Sequence, residues 1–329
     1  MSRLLISSLD TPTAFVPGRR SPLVQDLQAS AGEQCAVHRA AGCAINTRMS
    51  ATDHPMTGMD AFAPAEIAGL VRTRGVAKAN AGVVPAFVLG VLAGAFIGLG
   101  AVFSVVVGTD SALGYGVTRW LAGIAFSLGL ILVVVAGAEL FTGNNLMVMA
   151  VASRQVTVGR LLRTWAIVYV GNFVGALSIV AMVTLAGWWT LDDKAVGSTA
   201  LTIAATKTSL SFGTVFFRGI LANALVCLAV WLATGGRSLT DKIVAIVPPI
   251  AAFVACGFEH SVANMFFIPM GLVLKGRDGV TSAVSTSSLT IVGFLKNLTP
   301  STLGNIVGGA LLVGIVYWFV YLRPGANDT

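Results

Sequence analysis

Six apolar runs dominate the sequence, at residues 84–107, 119–141, 161–189, 212–234, 243–272 and 302–322. A helix needs about 20 residues to cross a hydrocarbon core roughly 30 Å thick, and each run reaches that length. Lipid offers no water to exposed N–H and C=O groups, so a spanning segment must satisfy its backbone internally, as a helix does. Only 11% of the 329 residues are charged and 55% are hydrophobic, where soluble domains carry about 25% charge. The sequence therefore predicts an all-α polytopic membrane protein with six transmembrane helices.

An even number of spans puts both termini on one side, and the basic residues choose the side. Arg72, Arg74, Lys78, Arg154, Arg160, Arg163, Arg237, Lys242 and Arg323 gather on the terminal side of the spans. Arg119, Lys194, Lys207, Arg218, Lys275, Arg277 and Lys296 are spread through the longer opposite loops with Asp110, Asp192, Asp193 and Asp278. By the positive-inside rule both termini are expected in the cytoplasm, with the chain multi-pass in the inner (plasma) membrane. The same rule accounts for the formal charge of +7 without nucleic acid as a partner.

Cys35, Cys43, Cys227 and Cys256 show no CxxC or zinc spacing, and the histidines are only His38, His54 and His260. No metal site or cofactor is expected, and a bis-histidine haem within the spans is ruled out. Residues 1–59 lack a sustained apolar period and read as a disordered or non-native extension. Residues 60–323 read as one six-span domain and 324–329 as a short cytoplasmic tail. Within 60–80, Ile67, Leu70, Val71 and Val76 alternate with Arg72, Arg74 and Lys78, the pattern of a short amphipathic interfacial helix.

Two of the apolar runs carry polar interruptions, Glu139 to Asn145 and Glu259 to Asn264. A charged group at the bilayer centre costs about 2.5–3.5 kcal/mol on insertion scales and generally faces a cavity or solute path. Irregular backbone at that depth likewise survives only where it lines a cavity or is buried in protein. Both interruptions read as broken helices. They also match each other: Gly137-Ala-Glu139 with Asn144 answers Gly257-Phe-Glu259 with Asn264, Gly90 to Ala95 answers Gly219 to Ala224, and Gly171-Asn172 answers Gly304-Asn305. Three anchors in order indicate a duplication, repeat A over about 84–190 and repeat B over about 212–322. Each half has three spans, so the second enters the membrane inverted. Inverted repeats place their site near the midplane, between the broken segments.

His260 is the only histidine in a span. In a soluble domain it would read as a core residue; beside Glu259 at a break in a membrane helix it reads as facing the solute path. Glu139 and Glu259 fit either a structural duty, accepting bonds from freed amides, or the path. Asn172 and Asn305 bridge helices or line the path, with lining favoured for Asn305. Lys207 looks like an ordinary loop lysine and Thr142 like a helix cap. Phe126, Leu130, Leu140, Phe141 and Phe253 read as core or lipid-facing, or alternatively as a dry constriction.

These stretches resemble one family, the formate/nitrite transporters. The resemblance runs over about 60–323 and rests on Ala136-Gly-Ala-Glu-Leu-Phe-Thr-Gly-Asn-Asn145, Gly219-Ile-Leu-Ala-Asn223, Gly235-Gly-Arg-Ser-Leu-Thr-Asp-Lys242, Gly257-Phe-Glu-His-Ser-Val-Ala-Asn-Met-Phe266 and Gly304-Asn-Ile-Val-Gly-Gly309. It implies an aquaporin-like protomer in a homopentamer, embedded in lipid, each protomer passing small monovalent weak-acid anions and protons, with formate the leading solute and no enzymatic reaction. It further implies that His260 is the central histidine and Thr142 its partner. Lys207 would draw anions into the outer vestibule, and Asn223, Asn305 and Glu259 would be polar residues near the pore. Leu140, Phe141, Phe253, Phe126, Leu130 and Val226 match constriction positions. Gly143 departs from the family pattern, where a serine is common.

Nitrite, hydrosulfide, acetate and lactate remain alternative solutes. A neutral-solute pore of aquaporin type suits the inverted repeat, yet no Asn-Pro-Ala pair stands at either break. A membrane enzyme or sensor would need a ligand cluster, a nucleotide loop or a soluble domain, none of which the sequence carries.

Overall fold

The computed structural model describes residues 60–324. The expected extension over 1–59 and the tail beyond 324 lie outside the described residues. The chain begins with α1 (Pro64–Ala79), whose first turn is set by Pro64 and by Glu66, which accepts from the Ala63 N–H at 2.8 Å. Then come α2 (Val83–Gly108), α3 (Tyr115–Val135), a 3-10 turn (Gly143–Met147) running into α4 (Val148–Ala152), and α5 (Val158–Leu185). The second half holds α6 (Ala195–Ser209), α7 (Phe212–Gly235), α8 (Leu239–Ala255) and α9 (Ser261–Leu274). It closes with α10 (Ile291–Ile306), a π-helical stretch (Val307–Ile315) and α11 (Val316–Tyr321).

Five helices are long and apolar enough to cross a membrane: α2, α3, α5, α7 and the continuous Ile291–Tyr321 rod. The remaining crossing is divided between α8 and α9, which meet at the second break. The sequence places the end of the second span at 141, but α3 stops at Val135. It places the start of the last span at 302, whereas the helix begins at Ile291. Lys296, Asn297 and Pro300 interrupt the apolar run there without interrupting the helix, and Asn297 and Pro300 are buried in protein. The long connection expected before α7 is also largely helical, and Lys207 stands in the last turn of α6.

The halves pack alike. α2 lies along α5 as α7 lies along α10, and α3 meets α8 across the middle. The close crossings depend on glycine: a Cβ on Gly175 would overlap the Val91 carbonyl, and one on Gly308 the Ile220 carbonyl. α1 is docked rather than spread on an interface. Its Ile67, Ala68, Val71 and Gly75 are buried, with Gly75 set against Ala150 and Met147. Tyr317, Trp318 and Tyr321 from the last turns pack on the same cluster, so both ends of the described chain lie on one side.

Candidate functional site

Both breaks are built the same way. α3 and α8 end in Gly137 and Gly257, at φ +84° and +69°, a left-handed conformation that only glycine adopts cheaply. The next N–H turns back to the helix, Ala138 to Val133 O at 2.8 Å and Phe258 to Phe253 O at 3.1 Å, which closes a Schellman cap. The chain then extends, and an asparagine from the last helix of each half fixes it. Asn172 donates to Gly90 O and Glu139 O and accepts from the Phe141 N–H, at 2.8, 2.9 and 2.9 Å. Asn305 donates to Gly219 O and Glu259 O and accepts from the Ser261 N–H, at 2.8, 3.0 and 2.8 Å. Both amide hydrogens of Asn305 are thus engaged by backbone.

Each glutamate is held by a lysine and an asparagine. Lys78 lies 3.0 Å from Glu139, and Asn144 donates to the same carboxylate at 2.8 Å. In the other half, Lys207 lies 2.9 Å from Glu259 and Asn264 donates at 2.7 Å. Asn297 adds a longer bond to Glu259 at 3.3 Å and donates to Lys207 O at 2.9 Å. Lys207 and Glu259 are the more enclosed pair, with side chains 14% and 3% exposed against 32% and 17% for Lys78 and Glu139.

His260 caps α9: its Nδ1 accepts from the Ala263 N–H at 3.1 Å. An accepting Nδ1 carries no proton, so the neutral ring has its hydrogen on Nε2. That nitrogen is 2.9 Å from Thr142 Oγ1, on the first break, and both side chains are buried. Thr142 is steadied in turn, because its carbonyl accepts from Asn223 Nδ2 at 3.2 Å and from Cys227 Sγ at 3.4 Å. The two breaks therefore meet through one imidazole–hydroxyl contact.

Two cavities approach this contact from opposite sides and share no lining residue. The one on the side of the termini, about 330 Å³, is lined by Arg74, Lys78, Glu139, Leu130 and Leu140, among others. The far-side cavity, about 430 Å³, is lined by Arg119, Lys207, Arg218, Glu259, His260, Phe126 and Phe253. Phe126 and Leu130 occupy one face of α3, a turn apart, and line different cavities, so an apolar wall separates the two. Phe126 meets Phe253 edge-on at 5.5 Å and stacks with Phe267 at 6.4 Å. Phe141 and Val226, expected at constrictions, are buried and line neither cavity. The Phe141 ring turns instead onto Tyr169 and Trp165 of α5, at 4.9 and 5.9 Å.

The profile of the family described as formate/nitrite transporter matches residues 65–319. The chain belongs to that family. It is 44% identical over 278 residues to the formate channel FocA of Escherichia coli (strain K12), covering 82% of this chain and 97% of that one. With the formate channel BtFdhC of Bacillus thuringiensis it shares 36% identity over 271 residues, 80% of this chain and 97% of the other. Among solved structures it resembles a pentameric formate channel with formate bound, at TM-score 0.68 and 40% identity over 73% of this chain and 98% of that one. Members of the family are membrane transporters rather than enzymes, and the helical architecture here is theirs.

Several residues at this family-type site escape sequence reading. By sequence Lys78 reads as a basic residue of an interfacial helix on the terminal side, yet it precedes α2 by the same short interval as Lys207 precedes α7, a repeat signal that identifies it. Phe267 lies in an unbroken apolar run and gives no signal. Asn297 falls in a polar stretch that reads as loop until the long last helix is seen.

Proposed function

We propose that the protein conducts small monovalent weak-acid anions, formate first among them, through a pathway within each protomer of a homopentamer. The inner cavity, on the side of the termini, would open to the cytoplasm and the far-side cavity would be the outer vestibule. The observation that carries this reading is the Thr142–His260 hydrogen bond, 2.9 Å long, standing between two cavities lined by lysine and arginine. A water or glycerol pore has no use for basic vestibules.

The apolar wall sets the chemistry. A bare carboxylate crossing a dry ring loses its hydration at a cost of several kcal/mol or more, while the neutral acid loses far less. With Nδ1 occupied by the Ala263 N–H, the Nε2–H donates to Thr142 Oγ1, which leaves the Thr142 hydroxyl proton to offer an arriving anion; the Nε2–H is freed for it only if that bond opens. An anion bonded there raises the proton affinity of the ring–anion pair. The pair takes a proton from vestibule water, and the solute leaves past Phe126 and Phe253 or Leu130 and Leu140 as the neutral acid.

Uptake by full-length protein in proteoliposomes tests this, with formate, nitrite, hydrosulfide, acetate, lactate and glycerol compared across a pH series. Formate uptake that rises as the external pH falls is expected. Glycerol flux without formate flux would overturn the proposal.

A further inference from the structure

Lys207 is the basic residue that the sequence points to in the outer vestibule, yet its ammonium is paired with Glu259 at 2.9 Å. Such a pair carries no net charge, and its field fades within a few ångströms. The net charge of this cavity must come from elsewhere. Three basic side chains and one acidic line it, Arg119, Lys207 and Arg218 against Glu259, so two positive charges are left over. Among the described residues the ion pairs are Lys78–Glu139, Lys194–Asp278 and Lys207–Glu259, and neither arginine takes part in one.

The two guanidiniums stand on one turn. Arg119 donates through Nη2 to Val254 O, and Arg218 through Nη1 to Gly257 O at 3.4 Å, both at the C-terminal end of α8. Gly257 has no side chain to shield them; a Cβ there would lie 3.7 Å from Arg119 Nη2. A guanidinium has five N–H donors in a planar fork, so one bond to a carbonyl leaves donors for a carboxylate.

The internal repeat shows that the scaffold does not need Arg218. Its counterpart is Leu89: the Glu139 N–H donates to Leu89 O at 3.1 Å, and the Glu259 N–H donates to Arg218 O at 3.3 Å. Each residue directly precedes the glycine whose carbonyl accepts from Asn172 or Asn305. Only the backbone of this position holds the break, and in the first half an aliphatic side chain suffices. The guanidinium is an addition confined to the outer side.

The geometry points to Arg119 and Arg218 as a capture site for one small planar monovalent oxyanion, a carboxylate or nitrite, at the outer mouth. The site deepens the transport reading and rests on it. Clefts of one sign raise local counter-ion concentration by about 10-fold or more, and half-exposed groups fall at or below the low end, roughly five-fold.

Full-length protein in planar bilayers tests it, with formate applied to one face at a time between about 0.01 and 1 M ionic strength. Arg218→Leu and Arg119→Gln should each raise the half-saturating formate concentration on the outer face roughly five-fold and flatten the salt dependence, with maximal current and inner-face saturation near wild type. Arg218→Lys, which keeps the charge, should recover most of the loss. Unchanged outer-face saturation and salt dependence in the leucine and glutamine variants would overturn the site, as would a loss of maximal current alone, the mark of a merely structural bond to α8. A wild-type protein without formate current would sink the transport reading by itself. In that event phenylglyoxal labelling of the solubilised protein, read by peptide mass, decides the site separately: protection of Arg119 and Arg218 by formate supports it, and equal labelling overturns it.

Discussion

Asn172 and Asn305 make the same three hydrogen bonds at the two breaks: two donated to carbonyls of the broken segment and its neighbouring helix, one accepted from an N–H two residues past the glutamate. These amides hold the irregular segments at membrane depth.

Asn305→Ala should therefore destabilise strongly. It strands a buried N–H and two carbonyls, each worth about 1–3 kcal/mol when left unpaired. Thermal unfolding of the solubilised protein should shift down by several degrees, and Asn172→Ala should behave alike. A variant as stable as wild type would mean that water or backbone relaxation replaces the amide.

The two Lys–Glu pairs should respond unequally. Lys207→Met leaves Glu259 enclosed without a counter-ion, which for a buried pair costs roughly 3–5 kcal/mol. Lys78→Met leaves Glu139 partly in solvent and should cost clearly less, given the 32% exposure of the Lys78 side chain against 14% for Lys207. Adding Glu259→Gln to Lys207→Met should restore part of the loss. The ranking is read from denaturation midpoints.

His260→Asn separates the two duties of the ring. Asparagine is a good N-cap, so it should keep the bond to the Ala263 N–H and limit the stability loss to about 1–3 kcal/mol, that of the buried Thr142 hydroxyl left unpaired. It has nothing to place at Nε2. Formate uptake should lose its rise at acid pH, and an unchanged pH profile would remove the proton role of the histidine.

Thr142→Val tests the other partner at nearly constant volume. It removes the oxygen that faces Nε2 and leaves a buried N–H unpaired, at a cost of about 1–3 kcal/mol. Formate flux should fall about ten-fold, with the carbonyl contacts of residue 142 to Asn223 and Cys227 retained.

At the water-exposed start of α8, Asp241 accepts from the Ser238 and Arg237 N–H groups, and Ser238 Oγ accepts from the Asp241 N–H. The Ser238 amide bond comes first, with the Ser238 hydroxyl next, in holding the Asp241 carboxyl below its ordinary 3.8. A depressed folded value means that this local stability is complete above 3.8 and is lost as pH falls through the lower value. Amide exchange at 239–242 should speed up over that acid window, and Asp241→Asn should show the faster exchange already at neutral pH.

Much of the fold was legible because lipid imposes long apolar runs and because the duplication repeats its anchors. The breaks were readable from Glu139 and Glu259, and the meeting of His260 with Thr142 followed from the family pattern. What the sequence hides is where polarity stops being informative. Asn297 sits inside a helix because Lys207 O, Asn264 and Glu259 satisfy its amide, so hydropathy alone starts the last span too late. Lys207 reads as a loop residue because α6, rich in Ala, Thr and Ser, has no apolar face to announce it. Phe141 was placed with the constriction, but its ring turns onto α5, since residues next to one another on an irregular segment have no periodic face. The roles of Asn172 and Asn305 depend on hydrogen-bond partners far along the chain, which spacing cannot supply.

Leu140 follows Glu139 where His260 follows Glu259, and this mismatch between the repeats has a directional consequence. The framework is nearly palindromic across the membrane plane, but the repeat-related position of the imidazole is an aliphatic residue lining the opposite cavity. A solute arriving from the outer side meets the His260 imidazole at the wall, and one arriving from the inner side meets the aliphatic Leu140 there, past Arg74 and Lys78. The profile of the crossing is lopsided, with a resting place on one slope only. With so lopsided a profile, opposed gradients of equal size need not drive equal fluxes.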